Sequence, residues 1–188
     1  MNSPTYHSIM VTGIDPISHE IMGAACDIIE ARFDAMCLLE EPLSAPDSAY
    51  DPERDQYRSD VLLGFLQLLT PDGVEKLVAL TELDLYVPGL NFVFGQAELG
   101  GRNAVVSVAR LRPEFYGQRP DPALFLARVR KEVVHELGHT YGLDHCSNPT
   151  CVMSFSNSIL EVDRKTSQFC PQCRRKLEAR LRRGRYAR

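Results

Sequence analysis

The sequence predicts an α/β protein: a mostly parallel sheet with one antiparallel edge strand, a long helix and a small cysteine-rich C-terminal segment. Three observations carry this. Short apolar runs alternate with helically spaced stretches through the first half, which implies crossovers and a mainly parallel sheet. The pair Gly100-Gly101 joins two strand-like runs, so one strand turns back on its neighbour. The stretch from Asp121 to Tyr141 carries the start signal and the apolar stripe of a single long helix.

The elements follow in order. Residues 8–13, S-I-M-V-T-G, read as a short buried strand. From Pro16 to Arg32, Ile17, Ile21, Ala24, Ala25, Ile28 and Ile29 recur at helical spacing. Phe33 to Leu39 reads as a second strand. Glu40 to Ser59, with three Pro and many acidic residues and Ser, reads as a long loop able to cover a cleft. Asp60 to Leu69 is a helix stopped before Pro71. Lys76 to Tyr86 opens as a strand, L-V-A-L. Asn91 to Ala97, N-F-V-F-G-Q-A, is an aromatic strand, and Ala104 to Leu111 is strongly β-branched. Asp121 is the N-cap and Pro122 the first residue of the long helix, with Leu126, Val129, Val133 and Leu137 on one stripe.

A chain of 188 residues can bury one sizeable core. Its 44% apolar and 24% charged content excludes a disordered tail or a membrane bundle. Its apolar runs fall short of the ~18 residues that span a bilayer. The segment M-N-S-P-T-Y-H-S-I-M-V-T-G lacks the pattern of a secretory signal, so a cytoplasmic location is expected. The net charge of −4 hides an asymmetry: residues 174–188 hold eight Arg or Lys and one Glu. Such a tail suits nucleic acid or an acidic partner; the preferred reading is a solvated tail or a terminal helix lying on the acidic body, because Tyr186 is its only aromatic residue.

The chemistry concentrates in residues 135–146, H-E-L-G-H-T-Y-G-L-D-H-C. His135 and His139 are four apart, so a helix places both imidazoles on one face within reach of one metal. Glu136 stands beside them as the base for a metal-activated water. Gly142 can adopt a left-handed conformation and end the helix, and His145 then returns as a third ligand. Three histidines and an open position describe a catalytic zinc site.

Cys26 and Cys37 fall in apolar surroundings and are expected in the core. Cys146 and Cys151 form one pair, and Cys170 and Cys173, C-P-Q-C, a second. Without a secretory signal, a closed four-thiolate zinc site is favoured over two disulfides. Such a site has no open position and is structural. His145 and Cys146 are neighbours, so the two sites share backbone. The domain division follows: residues 1–142 hold the sheet and the long helix, and 143–188 hold the third His, the four cysteines and the basic tail.

The string from His135 to Cys146, then Cys151, Met153 and Cys170-Pro-Gln-Cys173, resembles the archaemetzincins, a branch of the metzincin zinc peptidases. The likeness extends upstream through Tyr50 to Tyr57, A-L-T-E-L-D-L and N-F-V-F-G-Q-A, and so covers most of residues 8–175. It implies a metzincin-like twisted, mostly parallel five-stranded sheet, an active-site helix and a small zinc-bound C-terminal subdomain. It implies two zinc ions: a catalytic one on His135, His139 and His145, with Glu136 as general base, and a structural one on Cys146, Cys151, Cys170 and Cys173. Met153 takes the place of the Met-turn residue. Phe155 stands where some metzincins carry a metal-reaching Tyr, so that help is missing.

The expected activity is hydrolysis of peptides or unfolded protein by a monomer that needs no membrane. The edge strand, Asn91, Phe92, Val93, Phe94 and Gly95 onward, is expected to bind substrate as an added strand. The competing reading is a zinc-stabilised binding protein that uses its basic tail for a partner; a redox role for C-P-Q-C is a third.

Overall fold

The computed structural model describes residues 7–186. Its elements are β1 (Ser8–Gly13), α1 (His19–Phe33), β2 (Met36–Leu39), β3 (Tyr50–Asp51), β4 (Gln56–Arg58), α2 (Ser59–Leu69), β5 (Lys76–Thr81), β6 (Leu85–Tyr86), β7 (Gly95–Ala97), β8 (Asn103–Ser107), α3 (Pro122–Thr140), α4 (Ile159–Arg164) and α5 (Pro171–Tyr186). The first six residues, and the side chains of the basic tail beyond Arg182, lie outside the described residues. The described helices include none long and apolar enough to cross a membrane.

The main sheet has five strands in the order β2-β1-β5-β8-β7. The first four are parallel, and β7 pairs antiparallel with β8 through the Gly100 turn. The predicted architecture is the observed one. Side chains alternate across this sheet. Ile9, Val11, Val78, Leu80, Ala104 and Val106 face α1 and α3, and Met10, Leu77, Ala79 and Val105 face α2. Burial on both faces explains why the central strands read as nearly continuous apolar runs.

The helix ends obey local rules. Ser18 caps α1 by accepting from Ile21 N–H, and Asp121 caps α3 by accepting from Leu124 N–H at 2.9 Å. At the far end of α3, Gly142 has φ 76°, a left-handed value that favours glycine. Its N–H bonds His139 O at 2.8 Å, and Leu143 N–H bonds Gly138 O at 3.1 Å. This is a Schellman turn, and it sends the chain back along the helix toward His145.

Several expectations are corrected. Cys26 and Cys37 pack against the core, but as a disulfide that ties α1 to the edge strand β2 rather than as separate thiols. The 40–59 stretch is not a plain loop. It contains β3 and β4, which join β6 in a small second sheet, and it does not line the cleft. Of Asn91 to Ala97, only Gly95–Ala97 is strand. The β-branched run ends at Ser107, and residues 109–111 form a 3-10 turn.

The C-terminal segment forms α4 and α5 and has no separate core. Leu143, Val152, Met153, Val162, Phe169, Leu177 and Leu181 join the same core as α1 and α3. Phe33 of α1 stacks on Tyr141 and meets Phe169 edge-on, with ring centres 5.4 and 5.8 Å away.

Candidate active site

His135 and His139 lie one turn apart on α3, and the Schellman turn returns His145 beside them. One ring nitrogen from each imidazole lies within 4.8 Å of the others. The outer nitrogens explain the convergence. His135 Nδ1 is 2.8 Å from Val152 O, and His139 Nδ1 is 2.7 Å from Leu143 O. A carbonyl only accepts, so both Nδ1 atoms carry the proton and both Nε2 atoms present lone pairs. Those two Nε2 atoms face each other at 3.1 Å. Two lone pairs at that distance repel unless a cation lies between them, so the donor set fits a metal such as zinc.

Desolvation favours the neutral form of these rings, most strongly at the buried His135 and least at His145, which is exposed. Desolvation lowers the pKa of His135 well below the usual imidazole value, with the Lys165 charge adding to it. His139 and His145 shift the same way, with burial again the largest cause. Neutral imidazole is the ligating form.

Glu136 stands at the base of the cleft and is 5% exposed. Burial raises its pKa well above the usual carboxylate range, and nearby Glu132 adds to this while Lys165 opposes it. A Cβ on Gly95 would lie 2.7 Å from Glu136 Cγ and 2.8 Å from its Oε1. The side chain therefore occupies space that a bare glycine leaves on β7. Behind it, Lys165 Nζ pairs with Glu132 Oε1 at 2.9 Å, both side chains almost fully enclosed. Losing one partner of such a pair costs several kcal/mol, because the other charge stays buried. Arg128 and Asp163 add a bidentate pair at 2.7 Å, so α4 and the residue that ends it, Lys165, are fastened to α3 by two pairs of opposite polarity.

Met153 packs against Gly138 of α3, the residue before His139. A Cβ on Gly138 would fall on Met153 Sδ and 3.0 Å from its Cε. Glycine inside a helix costs about 1 kcal/mol relative to alanine. Here it admits the thioether.

Cys146, Cys151, Cys170 and Cys173 bring their sulfurs within 4.8 Å of one another. Cys170 N–H donates to Cys151 Sγ at 3.3 Å, and the Cys146 and Cys170 sulfurs are 3.8 Å apart. The Cys170 thiol is lowered to about 7, first by the Cys173 backbone N–H. Four soft donors with a readily ionised member fit a second zinc. These two groups are the metal-ready clusters among the described residues.

The histidines open into a cleft of about 340 Å³. Leu90, Phe92, Leu99 and Phe155 give it an apolar lining, and no Lys or Arg is among its lining residues. Phe155 is half exposed, with its ring 5.0 Å from His145. Phe92, Val93, Phe94 and Gly95 also line the cleft; Asn91 does not.

A model described as Peptidase family M54 matches residues 31–179. The chain belongs to peptidase family M54. Among its M54 relatives, the archaemetzincin of Methanopyrus kandleri is 52% identical over 139 residues, covering 74% of this chain and 75% of that protein. The archaemetzincin of Pyrococcus furiosus is 49% identical over 144 residues, covering 76% and 75%. The crystal structure of the Methanopyrus kandleri archaemetzincin superposes with a TM-score of 0.85 at 39% identity, covering 96% of this chain and 98% of that one. That of the Archaeoglobus fulgidus archaemetzincin complexed with malonate gives 0.78 at 36% identity, covering 90% and 99%. Membership of M54 makes this protein a zinc metallopeptidase with the archaemetzincin fold.

Sequence reasoning missed the Glu132–Lys165 pair. Its signal was weak: a charge at position 132 one turn before Glu136, and a Lys after a short amphipathic stretch. It also missed the hydrogen bonds from Arg54 and Gln56 to the Leu90 and Asn91 carbonyls.

Proposed function

We propose that this chain hydrolyses peptide bonds with Glu136 as the general base and zinc on His135, His139 and His145. A second, structural zinc on Cys146, Cys151, Cys170 and Cys173 completes the molecule. The observation that carries this reading is the convergence of unprotonated imidazole nitrogens beside a desolvated carboxylate at the base of an open cleft.

Zinc held by His135, His139 and His145 would supply Lewis acidity, acidifying a water and polarising a carbonyl oxygen. Glu136 takes the proton of the attacking water and hands it to the leaving amine. Its raised affinity for a proton suits that receipt, and its fixed place against Gly95 suits the transfer geometry. The backbone of Gly95–Ala97, the outermost strand of the sheet, can accept a substrate as an added antiparallel strand. Phe92, Val93, Phe94 and Gly95 contribute the adjoining surface, and Asn91 supports it. Among the described residues the cleft is lined by no Lys or Arg to take a terminal carboxylate, which favours internal bonds in peptides or unfolded chains over C-terminal trimming. The protein works as a monomer in the cytoplasm.

The second reading, a zinc-stabilised binding protein, draws its support from α5. Arg174, Arg175, Lys176, Arg180 and Arg182 are exposed on that helix, while Leu177 and Leu181 dock it to the core. One experiment separates the two. The zinc-loaded protein is incubated with a diverse peptide library and the products are read by mass spectrometry, beside Glu136→Ala. Loss of the general base is expected to slow cleavage about 10²- to 10⁴-fold. Equal cleavage by both proteins would refute the mechanism, and none by either would favour the binding role.

A further inference from the structure

The cleft wall around Leu90 and Phe92 is irregular backbone, yet it is held from both sides. The carbonyls of Leu90 and Asn91 are bound by side chains from the 50–57 segment. Arg54 Nη2–H donates to Leu90 O at 3.3 Å and to Asn91 O at 2.9 Å. Gln56 Nε2–H donates to Asn91 O at 3.0 Å and to Asp84 Oδ2 at 3.0 Å. Gln56 Oε1 accepts from Arg54 Nε at 3.0 Å, so the amide orientation is determined by its partners. Asp84 also receives a fork from Arg110 at 2.6 and 2.7 Å. The Arg110 guanidinium in turn lies 4.4 Å from the centre of the Phe92 ring.

Arg54 is exposed, but its guanidinium rests 4.2 Å over the Tyr86 ring and satisfies three acceptors. A freely solvated surface Arg has no such set. Gln56 is buried and stands on β4, which the main chain of β6 holds in register. The circuit Arg54–Gln56–Asp84–Arg110 therefore grips the wall by its carbonyls and by its aromatic ring.

We propose that Arg54 and Gln56 are positioning residues for substrate binding: they hold the Leu90–Phe92 wall in its bound shape before a peptide arrives. The proposal rests on the peptidase reading above, because that reading makes the cleft a peptide site. A wall already ordered charges no ordering entropy to binding, so the gain appears in KM rather than in the chemical step. The 50–57 segment touches no substrate in this scheme and acts through the wall.

Arg54→Ala tests it, since an exposed side chain can be removed with little risk to the fold. Hydrogen exchange of residues 89–94 and peptide kinetics are measured together, with zinc content as control. Expected are amide exchange about 10-fold faster in residues 89–94 and KM about 10-fold higher, with kcat and zinc content near wild type. Arg54→Lys keeps the charge and loses the fork, so it should resemble Arg54→Ala in both readouts. Gln56→Leu fills the same space without its hydrogen bonds and should shift both measurements in the same direction. Unchanged exchange, or faster exchange with unchanged KM, overturns the proposal. If the wild-type protein cleaves nothing, the peptidase reading has failed, and the exchange arm still decides whether Arg54 holds the wall.

Discussion

Glu136 lies against the bare α-carbon of Gly95. A methyl group there would sit 2.7 Å from Glu136 Cγ and 2.8 Å from Oε1, closer than carbon atoms normally approach. Val105 O, 2.8 Å away on the next strand, closes the other side. The carboxylate is thus located by steric fit between a helix and an edge strand, and no side chain among the described residues hydrogen-bonds it.

Gly95→Ala should therefore displace the base. A misplacement near 1 Å costs about 10²-fold in rate, so a loss of that order in kcat is expected. Overpacking should also cost about 1–3 kcal/mol of stability. Removing the obstructing side chain isolates the contact: in a Glu136→Ala background the same substitution should cost clearly less, the remainder coming from Val105 O. Thermal or urea unfolding of the four proteins in the cycle reads this. Equal cost in both backgrounds would mean that the two residues are not in contact.

The histidines make the metal-free protein sensitive to acid. Burial lowers the pKa of all three below the ordinary value of 6.5. Between the folded and unfolded values, the unfolded chain binds more protons, so stability rises with pH. The stabilising contribution is present above pH 6.5 and is lost as pH falls through the folded values. Chelator-treated protein should lose unfolding free energy steadily below pH 6.5, and a His135→Phe variant should lose less over the same range. Zinc affinity should fall in that window too, because protons compete for the same nitrogens. A flat stability profile from pH 7 to 5 in the metal-free protein would contradict the lowered values of the three histidines.

The parts legible in the sequence were those encoded within a few residues. Asp121-Pro122 and Gly142 mark both ends of α3, and the H-E-x-x-H spacing places two imidazoles on one face. The central strands were legible because both of their faces are buried, so nearly every residue is apolar. The aromatic run N-F-V-F-G-Q-A misled for a physical reason. Its alternation suits a strand, but Arg54 and Gln56 take the Asn91 carbonyl that a sheet partner would have used. Those partners lie more than thirty positions upstream, beyond any local pattern. Cys26 and Cys37 pair only because the α1 turn lays β2 beside the helix. That α5 docks on the core rather than trailing as a solvated tail was faintly marked: its buried Leu177 and Leu181 stand among seven basic residues.

The two metal clusters are built from one loop, and this couples them. His145 is a candidate ligand of the first cluster, and Cys146, its neighbour, belongs to the second. Val152 O receives the His135 Nδ1 proton, and Val152 N–H bonds Gln168 O at 2.9 Å, close to Cys170. Cys146 N–H bonds Met153 O at 2.8 Å, closing the loop on the residue that packs against Gly138 of α3. A metal on the four sulfurs would fix Cys146 and Cys151, and with them His145, Val152 and Met153. Cys170→Ala opens that shell, so both clusters should weaken. Loss of an outer partner of a metal ligand typically costs about 10- to 100-fold in affinity, and a loss of that size is expected at the histidines. Cobalt substitution reads the two sites separately, since thiolate and imidazole sets absorb differently. A lower thermal midpoint should accompany the change, because the segment from Leu143 to Leu181 shares the main core. Unchanged metal content and unchanged thermal stability in Cys170→Ala would show that the histidine cluster stands by itself.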